Sequence, residues 1–179
     1  MRASIFAMVV LAFGFPTATN AQQQPTLKDA YKGCFLVGAA LNPAQFSGED
    51  PPEDALIKAQ FNTISPENVL KWEIVNPHAG TYDFSLADKY VEFGERNHMF
   101  IIGHNLVWHS QVPSWVFEDK SGNQVSREVL LERMREHIGK VVGRYKGRIN
   151  GWDVVNEALN EDGTLRQSLW LAQSSSSDR

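Results

Sequence analysis

Mostly apolar residues form four short runs along the chain, and each run has the length of a β-strand. The runs lie at residues 35–39, 61–64, 99–103 and 149–155. Most positions in them are hydrophobic in succession rather than alternately, which is typical of strands in a parallel sheet that is covered by helices. The pattern therefore predicts four parallel strands.

Between these runs, hydrophobic residues recur every three or four positions, as on one face of a helix. The pattern predicts helices after Pro51 and Pro52, from Ser85 to about Asn97, over residues 126–145, and from near Leu165 onward. In the second of them, Ser85 followed by Asp88 resembles a capping box. Alternating strands and helices predict an α/β fold, either a β/α barrel or an open doubly wound sheet.

Polar and aromatic side chains follow the second, third and fourth predicted strands. They are Glu67, Asn68 and Lys71 after the second strand, His104, Trp108 and Gln111 after the third, and Asn156 and Glu157 after the fourth. Barrels and open sheets both carry their sites at the carboxyl ends of the strands. The chain has no Gly-x-Gly-x-x-Gly after a strand and no Gly-Lys-Ser/Thr loop, which disfavours the nucleotide-binding open sheets.

Asn156 and Glu157 are adjacent, so on a regular strand their side chains would face opposite ways. A bulge or the start of a loop is needed to turn both toward one ligand. An ordinary exposed junction between strand and loop is the alternative interpretation of these two residues.

The composition of the 179 residues is ordinary for a globular protein, with 42% hydrophobic and 21% charged residues. A net charge of −4 gives no basic excess, so we expect neither nucleic acid nor a membrane surface as a partner. The single cysteine, Cys34, cannot form an internal disulfide, and we expect it to be a small buried side chain.

The two ends of the chain carry patterns of their own. Arg2, an apolar run over residues 5–15 and small residues up to Ala21 are typical of a signal peptide at residues 1–21, so we expect a secreted or extracytoplasmic protein. Residues 172–179 are rich in serine and continue no helix or strand pattern. An eight-stranded barrel needs about 250 residues, so we expect half a barrel, truncated after Leu171.

Three stretches of sequence, in this order, resemble one enzyme family. They are Phe-Asn-Thr-Ile-Ser-Pro-Glu-Asn at 61–68 with Lys71 and Trp72, Gly-His-Asn-Leu-Val-Trp-His-Ser-Gln at 103–111, and Trp-Asp-Val-Val-Asn-Glu-Ala-Leu-Asn-Glu-Asp-Gly at 152–163. Together they resemble glycoside hydrolase family 10, the retaining endo-β-1,4-xylanases built on a (β/α)8 TIM barrel. The resemblance covers about residues 30–171 and implies that residues 22–171 are the N-terminal half, or first four β/α units, of such a barrel.

The resemblance implies a role for each candidate residue. Glu157 would be the general acid/base that protonates the leaving oxygen, which requires a carboxyl that is protonated when the substrate binds. Asn156 would hydrogen-bond the 2-hydroxyl of the reacting sugar. The remaining six candidates, Glu67, Asn68, Lys71, His104, Trp108 and Gln111, would bind xylose units of xylan or a xylo-oligosaccharide. Trp72 and Trp152 are expected to pack beside the site, and no cofactor or metal is implied.

The chain departs from the family in one respect. Retaining enzymes need a second carboxylate about 5–5.5 Å from the acid, and in this family it follows the seventh strand in a Thr-Glu-Leu-Asp-like segment. No such segment occurs among these residues, and the family uses the position of Glu67 for binding. We therefore expect the chain to be inactive on its own.

Other interpretations of the same residues remain open. Taken singly, Glu67 and Lys71 fit a solvated helix start, and His104 and Trp108 fit core residues. A metal-dependent hydrolase is disfavoured because His104 and His109, five residues apart, align neither on a strand nor on a helix. A non-catalytic carbohydrate-binding fragment would share the amide and aromatic contacts. A half barrel with two open sheet edges could also fail to fold stably.

Overall fold

A four-stranded parallel sheet forms the centre of the molecule, as the hydrophobic pattern predicts. The computed structural model describes residues 24–174, so the predicted signal peptide and residues 175–179 lie outside the described part. The strands are β1 (Gly38–Leu41), β2 (Thr63–Pro66), β3 (Phe100–Val107) and β4 (Gly151–Val155). They lie side by side in chain order, and each neighbouring pair is parallel.

Helices connect the strands. They are α1 (Leu27–Ala30), α2 (Pro43–Ser47), α3 (Pro51–Gln60), α4 (Trp72–Val75), α5 (Ser85–Arg96), α6 (Arg127–Arg144) and α7 (Leu169–Ser174), with a 3-10 turn at Ser114–Val116. The starts of α3 and α6 are capped by side chains: Asp50 accepts a hydrogen bond from the N–H of Glu53, and Ser126 from that of Val129. The predicted helices after Pro52 and over 126–145 are thus confirmed.

The long helices pack against one face of the sheet. Ile64 and Ile101, on β2 and β3, are buried on this face. Tyr90 of α5 is also buried, and its hydroxyl lies 2.9 Å from the carbonyl oxygens of both Ile64 and Ile102. The alternate strand positions are half-buried or exposed, as at Gly38. This second face corresponds to the inside of a barrel.

The two outer strands differ from their predictions. β1 begins at Gly38 rather than at residue 35, and Phe35 is 59% exposed in the preceding loop. Cys34 is exposed as well, so the expectation of a buried thiol is wrong. On β4, Val155 is 57% exposed. Both strands lie at edges of the sheet, where an apolar side chain has neighbours on one side only.

One predicted helix cap and one predicted helix start are also wrong. α5 begins at Ser85, as predicted, but the predicted capping box is absent at this start, where the N–H of Ser85 donates to the carboxylate of Asp83. Asp88 instead accepts hydrogen bonds from the guanidinium of Arg144 at the end of α6. The last helix begins at Leu169 and not near Leu165, since Leu165 pairs with Leu159 in an isolated β-bridge.

Candidate active site

The three polar clusters that the sequence predicts lie at or near the carboxyl edge of the sheet, although His104 lies inside β3 and not after it. Glu67 directly follows β2, and its N–H donates to the carbonyl of Leu41 at the end of β1 over 2.9 Å. Asn156 directly follows β4, and its N–H donates to the carbonyl of Val107 at the end of β3 over 2.9 Å. These backbone bonds tie the strand ends together in pairs, so the residues that follow them share one edge.

Glu157 is turned out of the strand by its own backbone. β4 ends at Val155, and Glu157 has a φ of 51°, in the left-handed region. Its carboxylate oxygen Oε2 accepts a hydrogen bond from Nε1 of Trp108 over 3.0 Å, and Nε2 of His109 lies 3.8 Å from the same oxygen. The start of a loop therefore provides the turn that the adjacent polar pair requires.

Lys71, His104 and Asp153 form a continuous chain of contacts across three strands. Nζ of Lys71 lies 2.8 Å from Nε2 of His104, and Nδ1 of His104 lies 2.8 Å from Oδ2 of Asp153. Lys71 is only 3% exposed, and this burial lowers the pKa of its ammonium group, against the opposing effect of the carboxylates of Glu157 and Asp153. The Lys71 ammonium also lies 4.0 Å from the ring centroid of Trp108, close enough for a cation–π contact.

Gln111 joins the loops that follow β2 and β3. Its amide nitrogen Nε2 donates to Oδ1 of Asn68 over 3.1 Å and to Oε1 of Glu73 over 3.2 Å. The backbone supports this contact, because the N–H of Glu73 donates to the carbonyl of Gln111 over 3.0 Å. Asn68 and Gln111, two of the predicted sugar-binding residues, are therefore in direct contact.

Left-handed backbone conformation is concentrated at this edge. Within residues 24–174, three residues other than glycine have a positive φ, and two of them are Gln111 and Glu157. Such a conformation costs of order 1–3 kcal/mol for a side chain larger than glycine, and it is found preferentially at functional sites. The packing around the two residues must hold them in place.

Aromatic and other apolar side chains pack next to the site. The indole Nε1 of Trp170 donates to the carbonyl of Trp108 over 2.7 Å. Beside it, a cavity of about 200 Å³ is lined by apolar side chains including Leu130 and Met134, and by Asn156 and Glu157. Trp72 is buried, as expected of a packing residue, and its ring stacks on His137 at 3.7 Å.

The structure brings together most of the predicted site residues and adds two. Lys71, His104, Trp108 and Glu157 form one connected set, Asn68 and Gln111 form a pair, and Glu67 and Asn156 lie at the ends of β2 and β4. Asp153 and Glu73 were not predicted. Asp153 lies opposite His104 in the β3–β4 register. The sequence offered one sign that Asp153 belongs to the site, namely a carboxylate within a run of mostly apolar residues.

Among residues 24–174, no three side chains of His, Cys, Asp or Glu are grouped so that they could hold a metal ion. In the same part of the chain, none of the helices has the length and hydrophobicity that crossing a membrane requires.

With this geometry established, comparison with known proteins decides the family. The sequence profile of glycosyl hydrolase family 10 matches residues 26–177. The chain belongs to glycosyl hydrolase family 10. The endo-1,4-beta-xylanase A of Xylanibacter ruminicola is 51% identical over 153 residues, which are 86% of this chain and 42% of that protein. The beta-1,4-xylanase of Dictyoglomus thermophilum is 38% identical over 171 residues, covering 93% of this chain and 46% of that protein.

Solved structures of family 10 enzymes establish the fold. A GH10 endoxylanase retrieved from a sugarcane soil metagenome superposes with a TM-score of 0.79 at 49% identity, covering 83% of this chain and 43% of that one. Xylanase XynB of Paenibacillus barcinonensis gives a TM-score of 0.79 at 39% identity, covering 86% and 46%. The chain thus spans less than half the length of these relatives. Its four parallel strands are the first units of a (β/α)8 barrel, which confirms the predicted fold class.

Proposed function

We propose that the chain supplies the acid/base side of the active site of a retaining endo-β-1,4-xylanase, with Glu157 as the proton donor. One observation carries this proposal. The carboxylate of Glu157 lies at the carboxyl edge of the sheet, where it is held by Trp108 over 3.0 Å next to the Lys71–His104 pair. The relatives named endo-1,4-beta-xylanase support xylan as the substrate.

The hydrogen bond from Trp108 decides which oxygen of Glu157 carries the proton. Oε2 accepts the indole N–H, so a proton on the carboxyl resides on Oε1. In the first step, this proton passes to the glycosidic oxygen as the bond to the anomeric carbon breaks and a second carboxylate attacks that carbon. In the second step, ionised Glu157 takes a proton from the water that releases the sugar.

The remaining predicted residues form the sugar-binding wall in this proposal. Asn156 hydrogen-bonds the 2-hydroxyl of the reacting xylose, and Trp108 supplies aromatic surface. Glu67, Asn68, Lys71, His104 and Gln111 supply polar groups toward the neighbouring units. Because Lys71 is buried and held by His104, its ammonium is already positioned before the sugar binds, which reduces the entropic cost of binding.

The second carboxylate does not come from these 179 residues in our proposal. Glu67 binds sugar and Asp153 contacts His104, so neither is assigned to attack the anomeric carbon. We also propose that residues 1–21 direct export, since a polymeric substrate is met outside the cytoplasm.

Sugar binding by this chain tests the proposal without requiring turnover. We expect xylotriose to bind to the purified chain, and maltotriose, whose units are α-linked glucose, not to bind. Replacing Lys71 by Met should weaken xylotriose binding about tenfold, because a charge-assisted hydrogen bond is lost. The exposed Lys120 provides the matched control, and Lys120→Met should leave the affinity unchanged. Titration followed by NMR measures these affinities, and equal affinities for Lys71→Met and the unchanged chain would contradict the proposal.

A further inference from the structure

We propose that Asp153 is a positioning residue. By accepting a hydrogen bond from Nδ1–H of His104, it holds the imidazole in the tautomer whose Nε2 accepts a hydrogen bond from the Lys71 ammonium. The inference deepens the proposed function, since Lys71 is one of the sugar-binding groups. The two contacts that define it, Asp153 to His104 and His104 to Lys71, are each 2.8 Å long.

The chemistry of the two neighbours selects one protonation state of His104. An ionised carboxylate only accepts hydrogen bonds, whereas an ammonium only donates them. Both 2.8 Å contacts are hydrogen bonds if Nδ1 carries the proton and Nε2 is bare. With Lys71 as an ammonium, Nζ donates the proton in the 2.8 Å contact and Nε2 of His104 accepts it.

The fold brings these three groups together through the pairing of the strands. Asp153 and His104 are opposite each other in the parallel register of β3 and β4, so their side chains lie on the same face of the sheet. Lys71 reaches His104 from the loop after β2, where its N–H donates to the carbonyl of Asn68 over 2.8 Å. Asp153 therefore acts on a group that enters the site from two strands away.

The same contacts continue from Lys71 to Glu157. The Lys71 ammonium lies 4.0 Å from the ring centroid of Trp108, whose Nε1 donates to Oε2 of Glu157 over 3.0 Å. Asp153 thus stands at one end of a connected array and the proton donor at the other. In this array the position of Lys71 determines the surroundings of the Trp108 ring, and the tautomer of His104 determines the position of Lys71.

The fold does not depend on the packing of the Asp153 side chain. Its side chain is 54% exposed on the edge strand β4, so replacing it removes little packing. Asp153 is exposed to solvent on one side and contacts the half-buried His104 on the other, so it can fix the orientation of the His104 ring without being part of the core. This location also makes substitutions at position 153 compatible with a folded chain.

The tautomer can be measured directly in the chain. Long-range ¹⁵N–¹H correlation spectra distinguish the two neutral forms of histidine from the doubly protonated form. The chain has five histidines, and a His104→Gln spectrum identifies the signal of His104. At pH 7 we expect the Nδ1–H form in the unchanged chain and in Asp153→Asn, whose amide oxygen still accepts the hydrogen bond. Asp153→Ala should shift His104 toward the Nε2–H form.

Xylotriose affinity supplies the functional readout. Asp153→Ala should weaken binding about tenfold, equivalent to about 1.4 kcal/mol, and Asp153→Asn should stay within about threefold of the unchanged chain, since it keeps the acceptor. Glu161→Ala, which removes another exposed carboxylate, should have no effect. An Nε2–H or doubly protonated His104 in the unchanged chain, or an unaltered tautomer in Asp153→Ala, overturns the inference. Failure of the unchanged chain to bind xylotriose would instead contradict the proposed function, because the tautomer is read without any sugar.

Discussion

Single residues at the carboxyl edge owe their positions to specific local causes. Glu157 faces Trp108 because its φ of 51° takes the chain out of the direction of β4. Lys71 combines burial with an unusual neighbour, because its ammonium lies 2.8 Å from Nε2 of the His104 imidazole. A third case, on α6 and not at this edge, is His137, which is fully buried and stacks on Trp72. The two ring nitrogens of His137 have no hydrogen-bond partner among the described residues.

His137 makes the stability of the fold depend on pH. Burial lowers the pKa of His137 to about 3, whereas an unfolded histidine titrates near 6.5. Between these values the unfolded chain binds more protons, so stability is lost as the pH falls below about 6.5. Between pH 7 and 4.5 we expect the free energy of unfolding to fall by about 2–3 kcal/mol from this residue alone, as measured by urea denaturation.

His137→Phe is the matched variant, because a phenyl ring can keep the stacking on Trp72 without a titratable group. Its free energy of unfolding should depend much less on pH over the same range. Carboxylates with a lowered pKa, such as those of Asp88 and Glu95, lose their stabilising effect mainly below about pH 4.5. A slope between pH 7 and 4.5 that persists in His137→Phe would show that another group is responsible.

At the scale of elements, the close contact between α5 and the sheet depends on a glycine in the helix. Gly94 of α5 faces β3, and a Cβ at this position would lie 2.5 Å from Cγ1 of Ile101 and 3.0 Å from Cδ1 of Ile64. The helix can approach the strands this closely because position 94 is glycine. The exposed Gly139 on α6 has no heavy atom within 4 Å of such a Cβ.

Alanine substitutions at the two helix glycines should have opposite effects. Gly94→Ala should destabilise the fold by about 1–3 kcal/mol through overpacking. Gly139→Ala should stabilise it by about 0.5–1 kcal/mol, since alanine loses less backbone entropy in a helix. Thermal and urea denaturation of both variants tests this. Equal effects of the two substitutions would mean that α5 does not pack against Ile101 as described.

The central elements could be predicted from the sequence better than the outer ones. The run at 99–103 overlaps the start of β3, which has a partner strand on each side, and Met99 and Ile101 are buried there, whereas Phe100 is 38% exposed. At β1 and β4 the exposure of Phe35 and Val155 depends on what lies beyond the edge of the sheet, which the local pattern does not contain. Asp153 was missed for a related reason, because its contact with His104 arises from the register of two strands that are distant in sequence.

At the scale of the whole molecule, one side of the sheet and both of its edges are open in the described residues. Val154 and Val155, two exposed apolar residues, lie on β4 at one of the open edges. The chain spans 42% of the Xylanibacter ruminicola relative. In the proposed function, the attacking carboxylate is supplied from the opposite side of the complete barrel.

We therefore expect the chain to release no reducing sugar from xylan on its own. General acid catalysis contributes about 10²- to 10⁴-fold, which falls far short of the acceleration of a complete enzyme. The assay uses purified chain beside Glu157→Gln as the control. Robust activity that is abolished in Glu157→Gln would mean that another carboxylate, such as one from a second copy of the chain, completes the site.

The role of Glu157 is tested most directly in a completed barrel. Residues 24–174 can be joined to the part of the Xylanibacter ruminicola enzyme that lies beyond the matched region, and kcat/KM measured for xylan and for an aryl xylobioside with a good leaving group. For Glu157→Ala we expect a loss of about 10²- to 10⁴-fold on xylan and less than about tenfold on the aryl substrate, whose leaving group needs little protonation. Glu161→Ala should match the unchanged chimera. Equal losses on both substrates in Glu157→Ala would contradict the assignment of Glu157 as the acid/base.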